Sequence, residues 1–204
     1  MSSRRLVSRD LALIALFAAL IAALGLPGTL YLFGGGVPIT AQALGVMLAG
    51  SILGARRGAL AVLVLLALVA AGLPLLAGGR GGLGVFAGLS AGYLIGWPLG
   101  AFVTGWLTER TALRGRTYSL PLGLVANLLG GIGVVYAIGI PVQAWLGNTT
   151  GLVATAIAAA VFLPGDLIKA TIATVVAKGV HTGYPTLGKR EPTHSLDDAP
   201  PSGS

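Results

Sequence analysis

The chain has 204 residues, of which 55% are hydrophobic and only 9% are charged, and its mean hydropathy is +0.89. A soluble domain carries roughly 25% charged residues, so the composition excludes an ordinary soluble protein and predicts an all-α integral membrane protein. The net charge of +7 does not indicate nucleic-acid binding, because the basic residues form short clusters between apolar runs. The lack of cysteine excludes disulfides and thiolate metal sites.

Six apolar runs follow one another, each near the roughly 20 residues that a helix needs to cross a bilayer. Glycine, proline and arginine clusters separate them, including a glycine-rich loop at 78–82 and an expected tight loop at 56–58. We predict one domain of six transmembrane helices over residues 1–178, followed by a polar, disordered tail over 179–204. The runs are 11–26, 39–54, 59–77, 91–107, 120–140 and 150–177.

The basic residues predict the orientation. The N-terminal segment carries three, the loop after the second run two, the loop after the fourth run three and the C-terminal side three, so eleven of thirteen lie on one side. The positive-inside rule therefore predicts a multi-pass cell-membrane protein with both termini in the cytoplasm. The first run also fits a signal peptide, but further spans follow it and no clear cleavage site is present.

Three charged residues lie away from the predicted cytoplasmic loops, namely Arg80, Asp166 and Lys169. A charge in hydrocarbon costs about 2.5–3.5 kcal/mol, so such residues usually face a cavity or a partner. Asp166 and Lys169 are three residues apart and share one face of a helix. They form either a structural ion pair that locks one helix to its neighbour or a polar ligand site. In such a site the carboxylate accepts N–H groups and the ammonium donates to a carbonyl or carboxylate.

Further polar residues allow two interpretations. Glycines in the 78–82 loop let backbone N–H groups approach a ligand, and Arg80 adds positive charge, but a plain outer turn fits equally well. Gln42 and Asn127 lie in apolar runs, and such side chains more often form interhelical hydrogen bonds than ligand contacts. Ala15, Ala19 and Ala23 form a small-residue stripe that lets another helix come close.

No catalytic or metal site is indicated. The segment 183–189 mimics the start of a P-loop, but Arg190 stands where serine or threonine is required, and a strand and a helix do not flank it. His181 and His194 lie in or next to the polar tail. With no cysteine, the usual catalytic triads and metal sites are not expected. We predict that the chain is not an enzyme, does not hydrolyse ATP and holds no resident cofactor.

Several short motifs follow one another along most of the chain. They are VPITAQALGVMLAG from residue 37, LGARRG from 53, AGLP from 71, GGRGGLG from 78, GYLIG from 92, YAIG from 136 and LPGDLIKA from 163. This series resembles the BioY family, the biotin-specific S components of energy-coupling factor (ECF) transporters. The chain departs from the usual family pattern at 88–92, which reads GLSAG, and lacks an asparagine near 77–78 that binds the ureido group in some members.

The resemblance implies a six-helix S-component fold that holds one biotin near the extracytoplasmic side, in a pocket closed by loops. Asp166 and Lys169 fall on the family's Asp-x-x-Lys motif, whose side chains bind biotin. The ureido ring of biotin offers two N–H donors and one carbonyl acceptor, and Arg80 is a candidate partner for the valerate carboxylate. The candidate ligand residues are Asp166, Lys169, Arg80, Gln42, Tyr93 and Asn127.

The resemblance also implies partners. S components use small residues on the first helix to dock a transmembrane coupling (T) subunit, so Ala15, Ala19 and Ala23 become a candidate docking face. Two ATPase (A) subunits would supply the energy for biotin uptake, and lipid surrounds the helices. Three alternatives remain: an S component for another vitamin, an intramembrane enzyme, and a structural membrane subunit in which Asp166 and Lys169 only join helices.

Overall fold

The computed structural model describes residues 8–26, 40–113, 118–147 and 151–184. Within these ranges the chain is helical and has no β-strand; a single antiparallel bridge joins Leu76 and Arg80. The prediction of an all-helical protein is confirmed. The α-helices are α1 Ser8–Ala23, α2 Gln42–Leu53, α3 Ala55–Ala70, α4 Ala91–Leu107, α5 Leu120–Asn127, α6 Val135–Gly147, α7 Gly151–Ala159 and α8 Leu163–Gly183.

Several α-helices continue into segments of different pitch. A π-helix, Thr108–Ala112, extends α4, a second π-helix, Leu128–Val134, joins α5 to α6, and a 3-10 segment, Ala160–Phe162, joins α7 to α8. The joined helices Leu120–Gly147 and Gly151–Gly183 are the two within the described ranges that are long and apolar enough to cross a membrane. They correspond to the fifth and sixth predicted runs. By contrast, the 12 residues of α2 reach only about 18 Å.

The ends of α3 differ from the predicted ones. The helix begins directly after Gly54, so Arg56 lies in its first turn and not in a loop. Gly54 alone turns the chain, with a φ of +83° that glycine adopts without steric cost. The helix also ends earlier than the predicted run, because Gly72 takes a φ of +106° and Pro74 cannot continue a helix. The segment 73–82 is thereby freed to form a loop.

The centre of the bundle is α4, which packs against α2, α3 and α6. Glycines make this packing close. A Cβ atom on Gly100 would lie 2.8 Å from the carbonyl oxygen of Gly130 in the second π-helix, a separation that requires glycine on α4. Small residues at helix contacts are typical of membrane helices, where close backbone approach replaces the hydrophobic effect as the driving force.

The C-terminal helix extends past the predicted domain end at residue 178. His181 on α8 is buried, and its Nε2 lies 2.9 Å from the carbonyl oxygen of Ser51. A carbonyl only accepts, so Nε2 carries the proton. The His181 ring also stacks on Tyr118 at a centroid distance of 5.4 Å. These contacts place His181 within the helical bundle; residues 185–204 of the predicted tail lie outside the described ranges.

Candidate ligand site

A cavity at one end of the bundle brings charged, polar and aromatic side chains together. Its walls come from the first turns of α2 and α8, the first half of α4, the start of α6 and the loop 73–82. An apolar cavity with a few convergent polar groups is the usual form of a small-molecule site. Its polar and aromatic lining residues include Gln42, Arg80, Ser90, Tyr93, Trp97, Tyr136, Asp166 and Lys169.

The charged centre of the cavity is an ion pair in the first two turns of α8. The Nζ atom of Lys169 donates to Oδ1 of Asp166 at 2.8 Å, and the two side chains are 15% and 11% exposed. From α6, the hydroxyl of Tyr136 donates to the other oxygen, Oδ2, at 2.6 Å. Asp166 lies in the first turn of α8, just after the 3-10 segment and Pro164.

The position of this pair bears on the two interpretations left open by the sequence. An ion pair that locks two helices has its charges on different helices, whereas Asp166 and Lys169 both lie on α8. Among the described residues, the Tyr136 hydroxyl makes the hydrogen bond that links this pair to another helix. Removing a carboxylate and an ammonium from water costs more free energy than the attraction between two charges on the same helix provides. The geometry therefore favours a ligand site over a helix lock.

Arg80 reaches the cavity from the loop 73–82. Leu76 and Arg80 exchange backbone hydrogen bonds of 3.0 and 3.2 Å, which close a small turn around Gly78 and Gly79, both with positive φ. The guanidinium Nε donates to the carbonyl oxygen of Ala77 at 3.2 Å, and its Nη1 donates to Oγ of Ser90 at 3.2 Å. These bonds hold the guanidinium at the cavity wall.

Tyr93 forms part of an aromatic wall. Its ring meets that of Tyr136 edge to face, with centroids 5.9 Å apart, and its hydroxyl donates to Oε1 of Gln143 on α6 at 2.8 Å. Trp97 lies one helical turn further along α4 and also lines the cavity. Such edge-to-face pairs stabilise a rigid apolar surface, which suits the carbon skeleton of a small ligand.

Gln42 lines the cavity, but its amide is used within the protein. The residue is 1% exposed. Its Nε2 donates to the carbonyl oxygens of Ile21 at 3.2 Å and Leu75 at 3.0 Å, and its Oε1 accepts from the backbone N–H of Ala77 at 2.9 Å. Gln42 thus ties α1, α2 and the loop 73–82 together.

Asn127 does not line the cavity, so its expected ligand contact finds no support in the structure. It is fully buried. Its Nδ2 donates to the carbonyl oxygen of Gly123 at 3.1 Å and to Oγ1 of Thr174 at 3.0 Å, while its Oδ1 accepts from Oγ of Ser51 at 3.0 Å. These bonds join α5, α2 and α8, the commoner role of such a side chain in an apolar run.

The predicted docking stripe lies on the outer side of α1. Ala15, Ala19 and Ala23 are exposed, whereas Phe17 and Ile21 of the same helix are buried in the core. Three further residues line the cavity and were not predicted from the sequence, namely Ser90, Trp97 and Tyr136. Tyr136 could have been found from the sequence, because it is the first residue of the motif YAIG.

The comparisons with known proteins agree with this geometry. A profile of the BioY family matches residues 1–186. The chain belongs to the BioY family. The biotin transporter BioY of Rhizobium etli is 50% identical over 190 residues, which cover 90% of this chain and 98% of that protein. That of Rhodobacter capsulatus is 53% identical over 184 residues, covering 85% and 94%.

A solved structure shares the fold. It is a crystal structure at 2.1 Å of the S component for biotin from an ECF-type ABC transporter. It matches with a TM-score of 0.81 and 31% identity, over 87% of this chain and 95% of that one. The resemblance inferred from the motifs is confirmed, and so is the S-component fold. The relatives are named as transporters, in agreement with the prediction that the chain is not an enzyme.

Proposed function

We propose that this chain is the biotin-binding membrane subunit of an ECF-type vitamin uptake transporter. The buried Asp166–Lys169 pair at the cavity wall, with its 2.8 Å contact, carries the proposal. A ureido ring has two N–H groups and one carbonyl, so a carboxylate and an ammonium on one helix face match it donor for acceptor. The names of the relatives, which are biotin transporters, support the same ligand.

The rest of the cavity suits the rest of biotin. In this proposal Asp166 accepts from the ureido N–H groups and Lys169 donates to the ureido carbonyl. Arg80 receives the valerate carboxylate, because its guanidinium is the positive charge that the loop brings to the cavity and guanidinium pairs well with carboxylate. Tyr93 and Trp97 cover the apolar ring and chain. A site built for the ureido group rejects analogues that lack it.

In the proposed membrane placement, six helical spans cross the cell membrane and both termini are cytoplasmic. The positions of the basic residues along the helices support this placement. Exposed basic side chains lie toward the helix ends opposite the cavity, namely Arg9, Arg56, Arg110 and Lys178. The positive-inside rule then turns the cavity toward the outside. Short helices such as α2 are accommodated by local bilayer thinning, and lipid covers the exposed apolar side chains of α7 and α8.

The proposed energy source is external to the chain. The sequence has no nucleotide-binding motif, so import would rely on a coupling (T) subunit and two ATPase (A) subunits. The exposed small-residue stripe of Ala15, Ala19 and Ala23 on α1 supports close docking of a partner helix. The solved S component that shares this fold comes from an ECF-type ABC transporter.

Titration calorimetry of purified, detergent-solubilised protein tests the proposal. We expect one biotin per chain for the wild type and about a 100-fold or greater loss of affinity for Asp166→Asn, because hydrogen bonds to a charged acceptor are lost. Asp10→Asn is the matched control, since Asp10 pairs with Arg57 at 3.1 Å, outside the cavity. Desthiobiotin, which keeps the ureido ring, should compete. Folded wild-type protein that binds no biotin would refute the assignment.

A further inference from the structure

The amide of Gln42 connects three parts of the chain through one side chain. It donates to Ile21 at the C-terminal end of α1 and to Leu75 in the loop 73–82, and it accepts from Ala77 in the same loop. The packing around it is tight, because a Cβ atom on Gly25 would lie 2.9 Å from Nε2. Such a buried, fully bonded amide fixes the relative position of its partners.

The loop 73–82 has few other attachments. Its backbone bonds run within the loop, to the end of α3, as from the N–H of Gly82 to the carbonyl oxygen of Val69 at 2.8 Å, and to the turn that follows, where Val85 donates to Gly82 at 3.4 Å. Its other bonded side chain, Arg80, reaches Ser90 ahead of α4. Within the described ranges, Gln42 therefore supplies the hydrogen bonds that hold this loop to α1 and α2.

A continuous path of contacts leads from α1 to the charge at the cavity. The N–H of Ala77 donates to Gln42, while the carbonyl of the same residue accepts from the Arg80 guanidinium at 3.2 Å. A shift of Ala77 therefore moves the acceptor that orients Arg80. The other end of the path, Ile21, lies on the helix that carries the exposed alanine stripe.

We propose that Gln42 is a latch, a positioning residue that couples the placement of α1 to the loop that carries Arg80. A partner that displaces α1 would break the bond to Ile21, free Ala77 and withdraw Arg80 from the ligand, so docking would favour release. The ligand and the docking face in this inference rest on the proposed function. The physical link is the hydrogen-bonded amide itself, which is what coupling between two sites requires.

Hydrogen–deuterium exchange on ligand-free protein tests the latch without biotin. Gln42→Met keeps the side-chain length and removes the three side-chain hydrogen bonds. Gln42→Asn is a milder variant that keeps the amide but shortens its reach. The matched control is Asn127→Leu, because Asn127 is also a buried amide with three hydrogen bonds but lies outside the cavity.

We expect Gln42→Met to speed exchange about tenfold or more in both 75–80 and 22–26, the effect of losing one net hydrogen bond. Gln42→Asn should give a smaller change in the same segments, and the control should change neither. Unchanged exchange in the loop would overturn the latch. Faster exchange in the loop alone would overturn its coupling to α1.

A double-mutant cycle of biotin dissociation tests the route through Arg80. Gln42→Met should speed release about tenfold in the wild-type background and less than about twofold in Arg80→Met, because the loop then has no charge to position. An equal effect in both backgrounds would overturn the route. If wild-type protein binds no biotin, the proposed function fails, whereas the exchange experiment still decides whether Gln42 is a latch.

Discussion

At the cavity end of the bundle, Asp166 and Lys169 pair within one helix and line the cavity, whereas in the other half of the bundle Asn127 bonds to both Ser51 and Thr174 and so joins three helices. Both groups are buried polar residues in apolar runs, and both satisfy hydrogen-bonding groups that lipid cannot. They differ in where the partners come from. Side chains that bond across helices use their hydrogen-bonding groups within the protein. A pair on one helix that lines a cavity can still bond to a ligand.

The aromatic residues follow the same division. Tyr136 directs its hydroxyl to a carboxylate at the cavity, whereas Tyr118 stacks on His181 away from it. Burial raises the pKa of Tyr118 to about 12, so the phenol remains neutral at physiological pH. The stacking of Tyr118 on His181 gives this end of the bundle a structural role. The following variants test the contrast from the largest expected effect to the smallest.

Lys169→Met should weaken biotin binding about 100-fold. The variant removes the donor to the ureido carbonyl and leaves the buried Asp166 carboxylate without its ammonium partner. Calorimetric titration measures the affinity. Arg57→Met is the matched control, because that guanidinium pairs with Asp10 outside the cavity and its loss should leave the affinity within about twofold. Similar losses in both variants would mean that the helix-internal pair has no special relation to the ligand.

Tyr136→Phe should weaken biotin binding about tenfold, the worth of one hydrogen bond to a charged group. The hydroxyl fixes the orientation of the Asp166 carboxylate through a 2.6 Å bond. Tyr118→Phe makes the same chemical change at the opposite end and should leave the affinity unchanged. The comparison is read from titrations of both variants against biotin and desthiobiotin. A loss confined to Tyr118→Phe would reverse the assignment of the two ends.

Part of the candidate site could be predicted from short stretches of sequence. The i, i+3 spacing of Asp166 and Lys169 predicts a shared helix face, and the glycines at 78–82 predict a loop that carries Arg80; the structure has both. Each of the six apolar runs contains helix, but the helix ends differ from the predicted ones where single residues determine them, as at Gly54. Helix ends depend on such local turns more than on hydropathy.

Other features depend on contacts between residues far apart in the chain. Gln42 and Asn127 are both amides in apolar runs, and no local pattern tells that one lines the cavity and the other does not. The Tyr136–Asp166 bond joins residues 30 apart in sequence, so only the packing of α6 against the start of α8 creates it. Residues of this kind are assigned from the fold or from a family motif, not from hydropathy.

Asn127→Leu should change the affinity for biotin less than about twofold while lowering the stability of the protein by about 2 kcal/mol. Leucine fits the volume, but Ser51 loses its acceptor and remains buried without one, which is the main cost. Thr174 loses less, because its own hydroxyl still donates to the carbonyl oxygen of Ala170 at 2.7 Å. Biotin titration measures the first effect and thermal unfolding in detergent the second. A large loss of affinity with unchanged stability would show that the end opposite the cavity contributes to the ligand site, and the contrast between the two ends would no longer hold.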